Sequence, residues 1–140
     1  MVIVDTCAWV ELLRKHGDQA TRAAVVGLID EFEATLCGPV EMELLGGTRP
    51  HERSRLQSWL NVLPYARSNQ KLWRAAGTHY HKLRTQGLTL PWNDVLIASV
   101  ALAQQCRIYA PDHHFEAMAP ILGLSLYQPG YGGMFTPEQD

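Results

Sequence analysis

Four acids in this chain stand where a carboxylate can do chemistry: Asp5, Glu43, Asp94 and Asp112. Asp5 ends the run Val2-Ile3-Val4, the β-branched pattern of a buried strand, and Asp112 follows a second such run, Arg107-Ile108-Tyr109-Ala110. Glu43 and Asp94 fall in helical stretches that begin after a strand end or a loop. An open parallel sheet binds ligands in the crevice beyond the carboxyl ends of its strands, so right-handed connections bring all four acids to one edge. Crowded carboxylates raise one another's pKa and oppose ionisation, so such a pocket needs a positive occupant. Oxygen ligands without thiolate or imidazole select hard divalent ions, Mg²⁺ or Mn²⁺. An ion of that kind activates water and neutralises charge during in-line displacement at a phosphodiester, which is nuclease chemistry.

The elements that must position these acids read as follows. Thr6 is placed to cap a short helix carrying Trp9, Val10, Leu12 and Leu13, broken near His16-Gly17-Asp18. Asp18 opens a second helix whose Val25, Leu28, Ile29 and Phe32 form one apolar stripe. Thr35-Leu36-Cys37-Gly38 reads as a strand, and Pro39 suits the first turn of a helix that holds Glu41 and Glu43 and ends at Gly46-Gly47. A helix from Pro50 carries Leu56, Trp59, Leu60 and Leu63, with a brief strand between Pro64 and Ser68. A long helix from Asn69 to Gln86 stops at Gly87, and 88–92 is a loop. The stretch after Asn93 is apolar nearly all round and reads as a central helix with Asp94 in its first turn; Asn93 is its expected cap. A last strand is expected over Leu124-Ser125-Leu126-Tyr127. Strands alternating with helices in this way make a three-layer α/β/α fold around a mostly parallel sheet.

Length and composition bound the rest. The chain has 140 residues, 46% of them hydrophobic, which suits one domain over residues 1–128 and a flexible tail over 129–140. Cys7, Cys37 and Cys106 are odd in number and widely spaced, matching no zinc pattern and reading as small core residues in a reducing, cytoplasmic setting. No apolar run is long enough to span a bilayer. A formal net charge of -2 rules out a general nucleic-acid sponge, so any RNA contact depends on a local patch or a metal ion.

The segments Val2-Ile3-Val4-Asp5-Thr6, Pro39 to Gly47 with Glu43-Leu44-Leu45-Gly46, Asn93-Asp94-Val95-Leu96-Ile97-Ala98 and Pro111-Asp112-His113-His114-Phe115 together resemble the PIN-domain ribonucleases, specifically the VapC-type toxins. The resemblance covers residues 1 to about 127. It implies a metal-dependent endoribonuclease that cuts structured RNA, dimerises, and is held inactive by a VapB-type antitoxin whose tail enters the acidic groove. Asp5, Glu43, Asp94 and Asp112 match that family's acids and Thr6 a hydroxyl position near its metal. Two departures stand out. Ala110 replaces a hydroxyl residue two positions before the last acid, and Glu41 lies two residues from Glu43, so the two cannot share a helix face. Glu43 fits the motif, with Glu41 in reserve.

Each acid taken alone has a plainer role. Asp5 and Asp112 could cap helices or close turns, Asp94 could complement a helix dipole, and Glu43 could be a solvated helix residue. Only their joint occurrence favours a site. The six histidines offer no zinc arrangement: His79 and His81 point to different helix faces, and His113 and His114 are neighbours, at most contacting RNA phosphate. Trp9, Trp59, Trp73 and Tyr80 suit a core or a dimer surface, and the basic groups Arg14-Lys15 and Arg49, Arg53, Arg55 suit a solvated helix face. An aspartyl phosphatase wants an acid where Cys7 stands, a receiver domain wants a strand-borne lysine, and no nucleotide-binding glycine motif occurs. The alternative function is a catalytically silent PIN-like module that binds RNA or protein.

Overall fold

The structure, a computed structural model, describes residues 1–130 and 133 of the chain. Eleven elements follow one another: β1 (Val2–Val4), α1 (Thr6–Leu13), α2 (Gln19–Asp30), β2 (Ala34–Cys37), α3 (Gly38–Gly47), α4 (Arg53–Leu60), β3 (Tyr65–Ala66), α5 (Gln70–Thr85), α6 (Trp92–Gln104), β4 (Arg107–Tyr109) and α7 (His113–Leu122). The strands form one parallel sheet in the order β3-β2-β1-β4. Every residue of β1 and β2 is buried, and successive side chains in a strand point to opposite faces, so both faces of the sheet are covered by helices. The α/β architecture anticipated from the alternating pattern is therefore the one observed.

Register decides where the acids emerge. Val2, Ile3 and Val4 lie opposite Arg107, Ile108 and Tyr109, and the Asp5 amide donates to the Tyr109 carbonyl at 2.9 Å. The chain thus leaves β1 and β4 at the same edge, Asp5 from one and the Asp112 loop from the other. Trp9 fixes the turn into α1: its side chain is 1% exposed and its indole N–H donates to the Val4 carbonyl at 3.1 Å. The break after α1 needs Gly17, because a Cβ there would stand 1.8 Å from the Glu11 carbonyl oxygen. The central helix α6 buries Val95, Ile97, Ala98, Ser99, Val100 and Ala101, as its all-round apolar pattern required.

Several boundaries differ from expectation. Thr6 is the first residue of α1 rather than its cap, a position Asp5 occupies. The helix expected from Pro50 begins at Arg53, residues 50–52 forming a turn first. The expected strand 124–127 is reduced to an isolated parallel bridge between Ile108 and Leu126, squeezed between Gly123 in the left-handed region and Pro129. The tail expected over 129–140 lies, apart from 129, 130 and 133, outside the described residues.

Phe32 leaves the apolar stripe of α2 altogether. The helix ends at Asp30, and the chain turns into β2 through paired bonds, Phe32 N–H to Ile29 at 3.0 Å and Glu33 N–H to Leu28 at 2.9 Å. That C-terminal motif places a left-handed residue after the cap, normally glycine. Phe32 takes the role with φ 56° and projects into solvent, 82% exposed. Since a left-handed side-chain residue costs about 1–2 kcal/mol and glycine returns part of that as unfolded-chain entropy, Phe32→Gly is expected to raise stability by about 0.5–1 kcal/mol in denaturant unfolding.

Candidate active site

Asp5 occupies the N-cap position of α1, yet its side chain makes no capping bond; only its backbone carbonyl accepts, from Ala8 and Trp9. The carboxylate is left for other work. It is 4% exposed and accepts a hydrogen bond from the Cys7 thiol at 2.7 Å. Burial raises its pKa to about 6, opposed by the Cys7 thiol and the Thr6 amide and reinforced by the charges of Asp94 and Asp112. Cys7 is correspondingly not the small core residue expected. Burial first, then the neighbouring Asp5 charge, hold its thiol far above the usual range, so it serves as a protonated donor rather than a thiolate. Cys37 and Cys106 are buried as anticipated.

Asp112 does cap a helix, and does more besides. One of its oxygens accepts from the His114 amide at 2.5 Å, while the other lies 3.4 Å from the His114 ring Nδ1. The same Nδ1 is 2.5 Å from an oxygen of Asp94, which sits in the first turn of α6. His114 therefore stands between two carboxylates that come from distant parts of the chain. Burial raises the Asp94 pKa; the His114 hydrogen bond opposes the rise, and the charges of Asp112 and Glu43 add to it. Donor atoms of Asp5, Cys7 and Asp112 lie within 4.8 Å of one another, as do those of Asp94, Asp112 and His114, and Asp112 belongs to both groups.

Glu43, exposed on α3, stands beside this cluster rather than within it, joined to it through the residues next to Asp5 and Asp94. Its Oε1 accepts from the Thr6 hydroxyl at 3.1 Å and from the Asn93 carboxamide. Asn93 was expected to cap α6 but does not; Pro91 holds that position, and Asn93, inside the first turn of the helix, is turned toward α3. Glu41 faces elsewhere, accepting from the Tyr65 hydroxyl at 2.9 Å, and burial followed by this carboxylate pushes Tyr65 up to about 12. Between the two glutamates the structure thus selects Glu43 as the one adjoining Thr6 and Asn93.

The side-chain partners of the four acids are a thiol, an imidazole, a hydroxyl and a carboxamide; among the described residues none is a lysine or arginine. Carboxylates crowded together with no lysine or arginine among their partners are an arrangement that a hard divalent ion relieves. The donor chemistry fits such an ion, because the Cys7 thiol is held protonated and His114 is already engaged by Asp94. Cys7, Asn93 and His114 were not singled out as parts of this site. The signal for His114 was there, since a residue two positions after a capping Asp folds back onto it; Cys7 and Asn93 carried none. The expected helical histidines play no part: His79 pairs with the Ser99 hydroxyl at 2.8 Å.

The PIN domain family matches residues 2–120 of the chain. VapC ribonuclease Mb1587 of Mycobacterium bovis is 34% identical over 129 residues, covering 89% of this chain and 96% of that protein. Ribonuclease VapC11 of Mycobacterium tuberculosis matches to the same extent. Among solved structures, VapBC2 from Rickettsia felis bound to a DNA fragment from its promoter superposes with a TM-score of 0.73 at 23% identity, covering 91% of this chain and 98% of that one. FitAcB from Neisseria gonorrhoeae does so with a TM-score of 0.71 at 18% identity, covering 94% and 99%. At these identities the two structures speak for the fold.

Proposed function

The chain belongs to the PIN-domain family, and from that premise we propose that it is an endoribonuclease of the VapC type, the toxin of a toxin-antitoxin pair, which hydrolyses RNA phosphodiester bonds with Mg²⁺ or Mn²⁺. The observation that carries this reading is the convergence of Asp5, Asp94 and Asp112, from three separate elements, on donor groups that share Asp112. The names of its ribonuclease relatives support the substrate class.

Asp5, Asp94, Asp112 and Glu43 are the residues that would hold the cation. Bound there, it supplies charge neutralisation and an activated water for in-line displacement. The chain's own groups prepare the place. Cys7 orients Asp5, His114 fixes the spacing of Asp94 and Asp112, and Thr6 with Asn93 aims Glu43. Fixed second-layer partners of this kind reduce the reorganisation needed when a metal binds.

The regulatory partner in this reading is a VapB-type antitoxin, in keeping with the VapBC complexes among the structural neighbours. A second copy of the chain is the other partner, with Met42, Trp73 and Trp92 available as exposed apolar residues. Among the described residues no helix is long and apolar enough to cross a membrane, and a cytoplasmic RNA substrate is consistent with that.

Incubating purified protein with total RNA, with Mg²⁺ or Mn²⁺ and with chelator, and sequencing the fragment ends, tests the proposal. Discrete ends that appear only with metal are expected. RNA retained but uncut under all conditions would establish the silent binding module instead. Within the same assay Glu43→Gln is expected to lower cleavage at least about tenfold, the cost typical of a disturbed metal surround, whereas Glu41→Gln stays within about twofold of the parent.

A further inference from the structure

We propose that the cleft between the C-terminal ends of α1 and α3 is the track along which a single RNA strand runs to the carboxylates, with Lys15 and Arg49 holding its phosphates. The proposal rests on the nuclease reading and names the surface that would receive its substrate.

Arg14, Lys15 and His16 follow α1, and Arg49 follows α3. Far apart in sequence, they line one cavity of about 650 Å³ whose other wall contains Thr6 and Glu43. The cavity thus reaches the site at Glu43, whose carboxylate accepts from the Thr6 hydroxyl. Its lining also includes Val10 and Leu13, which are 39% and 47% exposed and offer an apolar surface to sugars and bases. Past Lys15 the cleft continues into a second cavity of about 400 Å³ lined by Arg22 and Arg55, with Glu52 the one acid among the described residues that borders both cavities. Cations along a groove with apolar patches form the arrangement that follows a single-stranded backbone.

A plainer role for these cations is to complement the negative ends of two helices. That role does not require the two ends to share a cavity with Glu43 and Thr6, nor a basic path on a protein whose net charge is -2. Arg14 is partly spent, pairing with Glu11 at 3.1 Å. Lys15 and Arg49 are not: among the described residues neither side chain makes an ion pair, and the Glu52 carboxylate accepts from the Arg49 backbone amide instead. These two are the available phosphate ligands.

The test is fluorescence anisotropy of a labelled single-stranded RNA on metal-free protein, so that nothing is cut, across a series of salt concentrations. The double variant Lys15→Glu/Arg49→Glu is expected to bind at least tenfold more weakly and to show a slope of log K against log salt smaller by about 1.4, from about 0.7 per phosphate contact on a single strand. Lys15→Arg/Arg49→Lys should retain binding, and Lys82→Glu/Arg84→Glu, equal in charge change but on α5, should match the parent. With metal present, the first variant should raise KM and leave kcat in place. Unchanged RNA affinity in a folded Lys15→Glu/Arg49→Glu protein overturns the track. So does a loss confined to an acidic protein partner, which would assign the cleft to that partner. A parent protein that neither binds nor cuts RNA would remove the nuclease reading itself.

Discussion

Asp5→Asn is expected to abolish RNA cleavage, by at least about a thousandfold, while making the metal-free protein more stable by about 1–2 kcal/mol. The two effects share one cause. In the absence of a cation the Asp5 charge is buried beside Asp94 and Asp112, and a pKa raised from 3.8 to about 6 corresponds to roughly 3 kcal/mol of penalty at neutral pH. Asparagine keeps the shape and the acceptor for Cys7 and removes the charge; part of the gain is lost because its NH₂ group must find a partner. The same removal deletes a ligand from the set that would hold the cation, whose charge stabilisation is worth several kcal/mol in the transition state, or about three orders of magnitude in rate. Thermal unfolding in chelator and cleavage in Mn²⁺ measure both sides. A variant that is both inactive and less stable would mean that Asp5 is a structural residue.

The second large effect is a dependence of stability on pH that a metal ion cancels. Asp5 has a raised pKa in the folded state, so the folded protein holds this proton more tightly than the unfolded chain. Below about pH 4 both states are protonated and the group contributes nothing unfavourable. Between about pH 4 and 6 the unfolded chain ionises first, and stability falls as pH rises. Above about pH 6 both are ionised and the full penalty, about 2–3 kcal/mol, is present. Asp94, also raised, acts in the same direction. Asp18 acts in the opposite one, its carboxylate held below the usual range by the Thr21 amide and hydroxyl. Subtracting the pH profile of Asp5→Asn from that of the parent isolates the Asp5 contribution. Saturating Mn²⁺ should raise the parent's unfolding midpoint strongly at pH 7 and weakly at pH 5, and hardly at all in Asp5→Asn.

How far these features can be read from residues depends on how local their causes are. Val2-Ile3-Val4-Asp5 announces a buried strand with an acid at its end because three apolar residues in a row leave few other options, and the parallel sheet follows from the alternation with helices. The starts of α2 and α5 near Asp18 and Asn69 were legible for the same reason, and in the structure each of these side chains caps its helix by accepting from an amide three residues on. Glu41 and Glu43 were harder to separate. Both stand on one short helix, and only the neighbours brought in from elsewhere, Tyr65 for one and Thr6 with Asn93 for the other, tell them apart. Cys7 and Asn93 were misread because residues of their kind have common local roles, core filler and cap, and nothing nearby in sequence reveals the carboxylates they face. Phe32 fell out of its stripe because α2 ends at Asp30, two residues before the apolar periodicity does.

Asp5, Asp94 and Asp112 crowd together, with Glu43 beside them, in an arrangement that a divalent cation relieves. Calorimetric titration of the purified protein with Mn²⁺ at pH 7 addresses that most directly. Saturable binding is expected in the parent and in Glu41→Gln, and at least about a hundredfold weaker binding in Asp5→Asn and in Asp112→Asn. Equal Mn²⁺ affinity in all four proteins would contradict the account, because the acids would then be caps and surface charge rather than a metal centre.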